Sequence, residues 1–226
     1  IIPSWHYWME PTKPQPYWEL YYGTLIDHRF ADAEVEIIDL RGKEAKEPGF
    51  TIPEKDLYFY WNMKSADAQE LYDVVADLRV TYPKAAHIGG GTHVDHHQED
   101  CAGVYDAIVV GTAEELIFQA IGDWRKGALD NIYRGDMSFP FAEYPHPRRH
   151  YLPLDRIVNT DHFVKYGGVL GSGTYFSRGC SFRCRFCVYN FPPTFDFRTP
   201  TQMTEEIEYL KKEFGAQGIN LRDEVC

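Results

Sequence analysis

The chain has 226 residues, of which 44% are hydrophobic and 25% are charged. This balance is that of a globular protein, and it excludes a wholly disordered or collagen-like chain. No apolar run approaches the roughly 18 residues that cross a bilayer, and the first residues lack a signal-peptide pattern, so we expect a cytoplasmic protein with no membrane partner. The formal net charge of -11 argues against nucleic-acid binding, which usually needs a basic surface.

The first part of the chain alternates between predicted strands and predicted helices. Apolar, β-branched and aromatic runs predict strands at 1–2, 35–40, 57–61, 85–88 and 105–110. Helices are predicted from Tyr17, from an N-cap at Ser65, and from a capping box at Thr112. The alternation predicts a doubly wound, Rossmann-like α/β domain, in which ligands bind beyond the carboxyl ends of the parallel strands.

The second half of the chain has a different pattern. Residues 129–170 lack sustained periodicity and are rich in proline and aromatic residues, which predicts an extended linker. From residue 171 onward the pattern indicates a short strand at 174–177, a cysteine-bearing loop, a helix that ends at Gly215, and a further strand. The sequence therefore predicts a first domain at 1–128, a linker at 129–170 and a second region at 171–226.

The chemistry of the sequence is concentrated in its cysteines. Cys180, Cys184 and Cys187 lie within eight residues, and without an export signal such a cluster predicts a metal site rather than disulfide bonds. Three thiolates on one loop can bind three irons of a 4Fe–4S cluster and leave the fourth iron for a non-protein ligand. A zinc site completed by a histidine is the alternative, since zinc prefers four protein ligands.

The cysteine loop resembles a known family. The spacing CxxxCxxC, with Phe186 before the third cysteine and Arg178-Gly179 before the first, resembles the cluster loop of the radical S-adenosylmethionine superfamily. The resemblance implies that the three cysteines hold a 4Fe–4S cluster, that S-adenosylmethionine binds the open iron, and that Phe186 packs near the adenine or the cluster. It also implies reductive cleavage of S-adenosylmethionine to a 5′-deoxyadenosyl radical.

The same resemblance sets expectations for partners and for the second region. Electrons would come from a reductant such as flavodoxin or ferredoxin, and the substrate would be a small molecule of unknown identity. Residues 171–226 would form the start of a partial (βα) barrel, so we expect the chain to be part of a longer protein. Asp223-Glu224 resembles the acidic pair at the end of the second barrel strand, which implies contact with substrate or S-adenosylmethionine.

A doubly wound domain ahead of such a loop resembles the cobalamin-binding class of this superfamily. The segments at 35–41, 88–93 and 105–115 are similar to its second strand and to its two cofactor loops. The resemblance implies that cobalamin is bound by Gly89, Gly90, Gly91, Thr92, His93, Gly111, Thr112 and Glu114. Methyl transfer to an unactivated carbon is the reaction it implies, and no catalytic side chain is assigned.

The chain departs from that class at two places. The Asp-x-His-x-x-Gly motif that supplies an axial histidine in many cobalamin proteins is absent, and Ala113 replaces the second glycine of the GxGE segment. A radical enzyme with a degenerate, cobalamin-free domain is therefore an open alternative, beside a non-catalytic zinc-binding module. The polar residues from His93 to Asp100 are interpreted as a solvated loop and helix start rather than a metal site.

Overall fold

The computed structural model describes residues 1–4, 15–41, 51–61, 64–135, 140–187 and 195–224. The α-helices in these ranges are α1 Tyr17–Arg29, α2 Ala68–Thr81, α3 Thr92–His96, α4 Gln98–Ala102, α5 Glu114–Arg125, α6 Leu154–Ile157 and α7 Pro200–Phe214. The strands are β1 Leu57–Trp61, β2 Ala86–Gly90, β3 Ala107–Val110, β4 Ile132–Arg134, β5 Gly171–Thr174, β6 Ser177–Arg178, β7 Asp196–Phe197 and β8 Gly218–Leu221. None of the helices that the structure describes is both long enough and apolar enough to cross a bilayer.

The chain forms two compact units. Among the described residues, the first unit contains 1–4, 38–41, 51–61 and 64–135, and the second contains the remainder. Helix α1 thus belongs to the second unit, although it precedes the first unit's strands along the chain. The boundaries at 128 and 170 stay predictions.

A parallel four-stranded sheet organises the first unit. Strands β1, β2, β3 and β4 lie side by side in chain order. Residues 1–2 extend this sheet beside β1, because the Ile1 amino group donates to the Phe59 carbonyl, 2.6 Å away. On their other side Ile2 forms an isolated parallel bridge with Asp39. The arrangement is consistent with the predicted Rossmann-like domain.

One face of this sheet carries the unit's main apolar core. Strand β1 alternates in burial, with Tyr58 and Tyr60 on the buried side. Helix α2 contributes Leu71, Val75 and Leu78 to the same cluster. These three positions are one helical turn apart, so a single stripe of α2 covers the sheet. The core is therefore built where the period-2 pattern of the strands meets the period-3.6 pattern of the helix.

Several local predictions for this unit are wrong. Residues 35–40 were expected to form a strand, but they form only the Ile2–Asp39 bridge. Ser65 is not an N-cap, since it begins a 3₁₀ turn before α2 and its hydroxyl bonds the His93 ring instead. Helix α5 begins after Ala113 without a side-chain cap, so the predicted capping box at Thr112 does not form.

The region predicted as a linker contains regular structure. Strand β4 pairs with β3, with Ile132 opposite Ile108 and Arg134 opposite Val110. Helix α6 follows further along, in the second unit. A strand of three residues has no room for an alternating pattern, and therefore periodicity could not detect β4.

The second unit contains a strand–loop–helix–strand element. Strands β5 and β8 are parallel neighbours, from Gly171 opposite Gly218 to Thr174 opposite Leu221. Helix α7 connects them and starts with a capping box between Thr199 and Gln202. Gly215 ends α7 in the left-handed conformation, as its position in the sequence predicts. Two strands are one βα repeat, and the barrel stays a prediction.

Helix α1 packs into the core of this unit. Leu20 is fully buried with Leu210 of α7 and Ile157 of α6. An ion pair supports the same core, because the guanidinium of Arg149 lies 2.5 Å from a carboxylate oxygen of Glu206 and both side chains are buried. Each of these two buried charges needs the other as its partner, since a buried charge without a partner would destabilise the fold.

Candidate functional site

The cysteine loop of the second unit begins at a short pair of antiparallel strands. After β5 ends, β6 pairs antiparallel with β7, with Ser177 opposite Phe197 and Arg178 opposite Asp196. Gly179 then turns the chain with φ at +100°, a conformation that favours glycine, and Cys180 follows directly. The predicted strand at 174–177 is thus split between β5 and β6, and the loop begins at a paired stem.

The three cysteines lie beyond this stem. None is in a disulfide bond, Cys180 is half-buried, and Cys184 and Cys187 are exposed. The Cys187 amide donates to the Cys184 carbonyl at 3.0 Å, which forms a turn between these two cysteines. Among the residues that the structure describes, no three side chains of His, Cys, Asp or Glu form a ready-made metal site.

The donor set nevertheless fits an iron–sulfur cluster in its chemistry. Three thiols on one loop, all with solvent access, are what a cluster built onto the protein requires. A metal site is rarely preformed without its metal. The three sulfurs are therefore not expected to converge before the cluster binds. The thiolates of Cys180, Cys184 and Cys187 would be its ligands.

Aromatic side chains on this loop are unusually exposed. The Phe186 side chain is 87% exposed and that of Phe182 is 61% exposed. Apolar side chains of this size gain free energy when they are covered, and the described residues of the second unit leave both of these largely uncovered. They are available to pack on a bound molecule, and for Phe186 the sequence predicts such packing.

Charged groups surround the start of the loop. The Arg178 guanidinium lies over the Trp18 ring, 5.0 Å from its centroid. Arg183 is exposed and donates to the carbonyl of Cys180 at 3.0 Å. At the end of β8, burial raises the pKa of Glu224 to about 7. Asp223 accepts hydrogen bonds from the backbone of the loop's stem, a role that sequence reasoning missed.

The second candidate site lies at the carboxyl ends of β2 and β3 in the first unit. Gly89 and Gly90 belong to strand β2, and the turn begins at Gly91, which has φ at +102°. Gly111 makes the corresponding turn after β3, with φ at +91°. A Cβ atom at Gly89 would overlap the ring of Tyr105. The glycines are therefore required by the fold, whatever ligand approaches these turns.

His93 is held by the protein on both sides of its ring. Its Nδ1 lies 2.8 Å from the Ser65 hydroxyl, and its Nε2 lies 3.0 Å from the Tyr72 hydroxyl. The Tyr72 hydroxyl in turn lies 3.3 Å from the Cys101 sulfur. Burial lowers the pKa of His93, which favours the neutral ring. His93 thus fixes the loop after β2 to helix α2.

Asp95 connects the two turns. Its carboxylate accepts a hydrogen bond from the Gly111 amide at 2.9 Å, and burial raises its pKa. His96 and His97 are exposed, as the solvated loop and helix start predicted for this segment require, but His93 is buried and Asp95 is half-buried, so the prediction is wrong for His93. The sequence offered no local signal for this bond, because the two residues are 16 positions apart.

The remaining predicted site residues lie at the same edge of the sheet. Thr92 begins α3, and Thr112 and Glu114 are buried where the chain enters α5. The structure thus brings the predicted residues of the first unit to the carboxyl ends of β2 and β3, the edge where α/β sheets bind ligands. Their roles toward cobalamin stay predictions.

Comparisons with known proteins give one curated relative. No protein-family model matches the chain. A bacteriochlorophyllide d C-8(2)-methyltransferase from Chlorobaculum tepidum is 29% identical over 155 residues, which cover 67% of this chain and 32% of that protein. The chain therefore spans about a third of the length of the curated relative that it matches.

One solved structure is also similar in sequence. The N-terminal domain of a hypothetical protein from Thermotoga maritima is 26% identical and covers 49% of this chain and 82% of that domain. The TM-score is 0.36, which is too low to support an argument about the fold.

Proposed function

We propose that this chain is part of a radical S-adenosylmethionine enzyme, in which Cys180, Cys184 and Cys187 hold a 4Fe–4S cluster. The observation that carries the proposal is three thiols, none of them in a disulfide, on one loop that follows the parallel strand β5. Three cysteines leave one iron for a further ligand, which a four-cysteine site would not. The relative is named as a methyltransferase, which supports an enzymatic role.

The residues of the loop have separable roles in this proposal. When bound, the cluster would supply the electron that cleaves S-adenosylmethionine to a 5′-deoxyadenosyl radical, with a flavodoxin or ferredoxin as its reductant. Phe186, which is exposed beside Cys187, would cover the adenine or the cluster and exclude water from it. The Arg183 guanidinium donates to the carbonyl of Cys180 at 3.0 Å and so places positive charge on the loop.

The finer part of the proposal concerns the first unit. We infer that its loops after β2 and β3 bind cobalamin and that the reaction is methyl transfer to a small molecule. The two positive-φ turns at Gly91 and Gly111 support this, because a turn without a side chain lets a ligand approach the sheet edge closely. Since both nitrogens of His93 are already bonded within the protein, His93 would shape the loop rather than ligate cobalt.

The cluster is tested by anaerobic reconstitution of the full chain with iron and sulfide. We expect about four irons and four sulfides per chain and, after reduction, an electron paramagnetic resonance signal that shifts when S-adenosylmethionine is added. The shift is the decisive readout, because it requires the open iron. Stoichiometric zinc with no such signal would overturn the proposal in favour of a structural metal module.

Cobalamin binding is tested separately. Incubation with hydroxocobalamin followed by gel filtration is expected to leave corrinoid absorbance with the protein, at about one equivalent per chain. Protein that elutes without the corrinoid while keeping its cluster would show a degenerate domain, and the radical proposal would survive that result. The two experiments therefore test the two parts of the proposal independently.

A further inference from the structure

We propose that Asp223 is a positioning residue for the cysteine loop, so that its carboxylate sets the place from which Cys180 reaches the cluster. The inference rests on the proposed function, since it assumes that the loop holds a cluster. Asp223 lies just beyond β8, and its role is not evident from the sequence, where it is 43 positions from Cys180. The structure places its carboxylate at the stem of that loop.

One oxygen of Asp223 serves two backbone donors. The amide of Phe176 donates to Asp223 Oδ1 at 2.8 Å, and the amide of Ser177 donates to the same atom at 2.9 Å. The Arg222 amide donates to the Thr174 carbonyl at 2.9 Å, which extends the β5–β8 ladder to the residue before Asp223. The ladder thus delivers the carboxylate to the amides of Phe176 and Ser177, which follow shortly after the end of β5.

These two amides need an acceptor. Phe176 and Ser177 are buried, and a buried amide without a hydrogen bond is costly. Hydrogen bonds to a charged acceptor are stronger than those to a neutral one, so a carboxylate holds both donors firmly. An uncharged side chain of the same shape would hold them less firmly.

The opposite flank of the stem is also fixed. The Arg198 amide donates to the Phe176 carbonyl at 2.8 Å, and Ser177 pairs with Phe197 of β7. The stem is therefore held between β7 on one side and Asp223 on the other. Cys180 follows Ser177 by three residues, and because Gly179 makes the only positive-φ turn among residues 176–181, a displaced stem would displace the first ligand.

The test compares Asp223→Ala and Asp223→Asn with the parent chain. The matched control is Asp155→Asn, because Asp155 is exposed on α6. In the cluster-free protein, hydrogen exchange at the amides of 176–177 is expected to be about tenfold faster in Asp223→Ala, less altered in Asp223→Asn, and unchanged in the control. Circular dichroism checks that each variant is folded.

The functional readout is the cluster itself. After reconstitution we expect Asp223→Ala to keep less than about half of the parent's iron and sulfide and to show an altered paramagnetic signal, and Asp223→Asn to recover most of the iron. Equal exchange rates and equal iron content in parent and Asp223→Ala would overturn the inference. If the parent itself assembles no cluster, the proposed function fails, and the exchange rates still report whether Asp223 holds the stem.

Discussion

The loop after β2 and the cysteine loop are held in opposite ways. In the first unit, His93 is buried with both ring nitrogens bonded, and Asp95 ties the loop to Gly111 after β3. In the second unit the contacts lie at the stem of the cysteine loop, while Cys184 and Phe186 are exposed. Contacts within the protein thus hold the loop after β2. In the cysteine loop such contacts hold the stem and leave Cys184 and Phe186 exposed.

This difference indicates how each loop would meet its ligand. A loop that the protein already orders loses little conformational freedom on binding, so its ligand meets a prepared surface. A loop with exposed thiolates acquires its final shape from the metal, because binding and local folding are coupled. Mutations should therefore change stability at the first loop and metal content at the second.

The largest expected effect is the loss of the cluster. Replacing Cys180, Cys184 or Cys187 singly with Ala is expected to lower reconstituted iron and sulfide more than about tenfold, because the proposed function makes each thiolate a ligand. The free energy of unfolding of the cluster-free protein should change by less than about 0.5 kcal/mol for the two exposed cysteines. Iron analysis and denaturant unfolding measure the two quantities.

The matched control for these variants is Cys101→Ala. Cys101 is buried in the first unit beside Tyr72, far along the chain from the loop. We expect this variant to keep the parent's iron content while it loses some stability, the reverse of the loop variants. Full iron content in Cys184→Ala, or lost iron in folded Cys101→Ala, would contradict the assignment of ligands.

The next effect is a loss of stability in the first unit. Gly89→Ala would place a Cβ atom under 3.0 Å from atoms of the buried Tyr105 ring, so the ring or the strand must shift. We expect a decrease of about 1–3 kcal/mol in the free energy of unfolding, as for other overpacked cores. Denaturant unfolding measures it, and iron content should be unchanged.

Gly122→Ala is the control for that substitution. Gly122 lies in α5, and no atom would come within 4 Å of an added Cβ. A glycine inside a helix is destabilising, so this variant should gain about 0.5–1 kcal/mol. A gain in stability in both glycine variants would mean that backbone entropy, rather than the contact with Tyr105, decides the outcome.

Local patterns predicted the elements well and their ends less well. Strand β1 has the bounds that its aromatic run predicts, and Gly215 ends α7 where a C-terminal glycine signal stands. Ser65 and Thr112 carried equally strong helix-start signals, yet neither caps a helix. The Ser65 hydroxyl is used by His93, 28 residues away, and no local rule can anticipate a competitor at that distance.

The residues of the candidate sites show the same difference between local signals and long-range contacts. The three cysteines were visible in the sequence because they lie within eight residues of one another. The hydrogen bonds of Asp95 and Asp223 were not visible, although the sequence suggested a different role for Asp223, since each carboxylate accepts from a backbone amide that only the folded sheet brings near. Such residues hold a site in place without belonging to its motif, and they can be found only once strand pairing is known.

A smaller effect is expected from acid at His93. Burial keeps the folded-state pKa of His93 below its ordinary 6.5, with His97 lowering it further and Asp100 opposing. Above pH 6.5 the ring is neutral in both states, so its contribution is fully present. As the pH falls below 6.5 the unfolded chain gains a proton that the folded chain resists, and the free energy of unfolding decreases.

The variant His93→Gln isolates this contribution. At pH 7.5 it should be destabilised by about 1 kcal/mol through altered hydrogen bonds to Ser65 and Tyr72, and it should lose less stability than the parent on going to pH 5. His87 is also buried with a lowered pKa and is present in both proteins, so it cancels in the comparison. Parallel pH curves for the two proteins would show that His93 does not titrate as its burial requires.

The smallest effect on stability, and the sharpest test of the open loop, is expected from Phe186→Ala. A side chain that is 87% exposed contributes little to folding, so the free energy of unfolding should change by less than about 0.5 kcal/mol. Phe141→Ala is the contrast, because that ring is fully buried in the second unit and its removal should cost about 3–5 kcal/mol.

The proposed function gives the exposed Phe186 beside Cys187 a role in what the loop binds. We expect Phe186→Ala to assemble the cluster normally and to need a several-fold higher concentration of S-adenosylmethionine to shift the paramagnetic signal, because the adenine or cluster loses an apolar cover. An unchanged titration would remove Phe186 from the site and leave only the thiolates as the loop's binding groups. The exposed part of the cysteine loop would then bind through its cysteines alone. It would differ from the loop after β2 only in that it coordinates a metal.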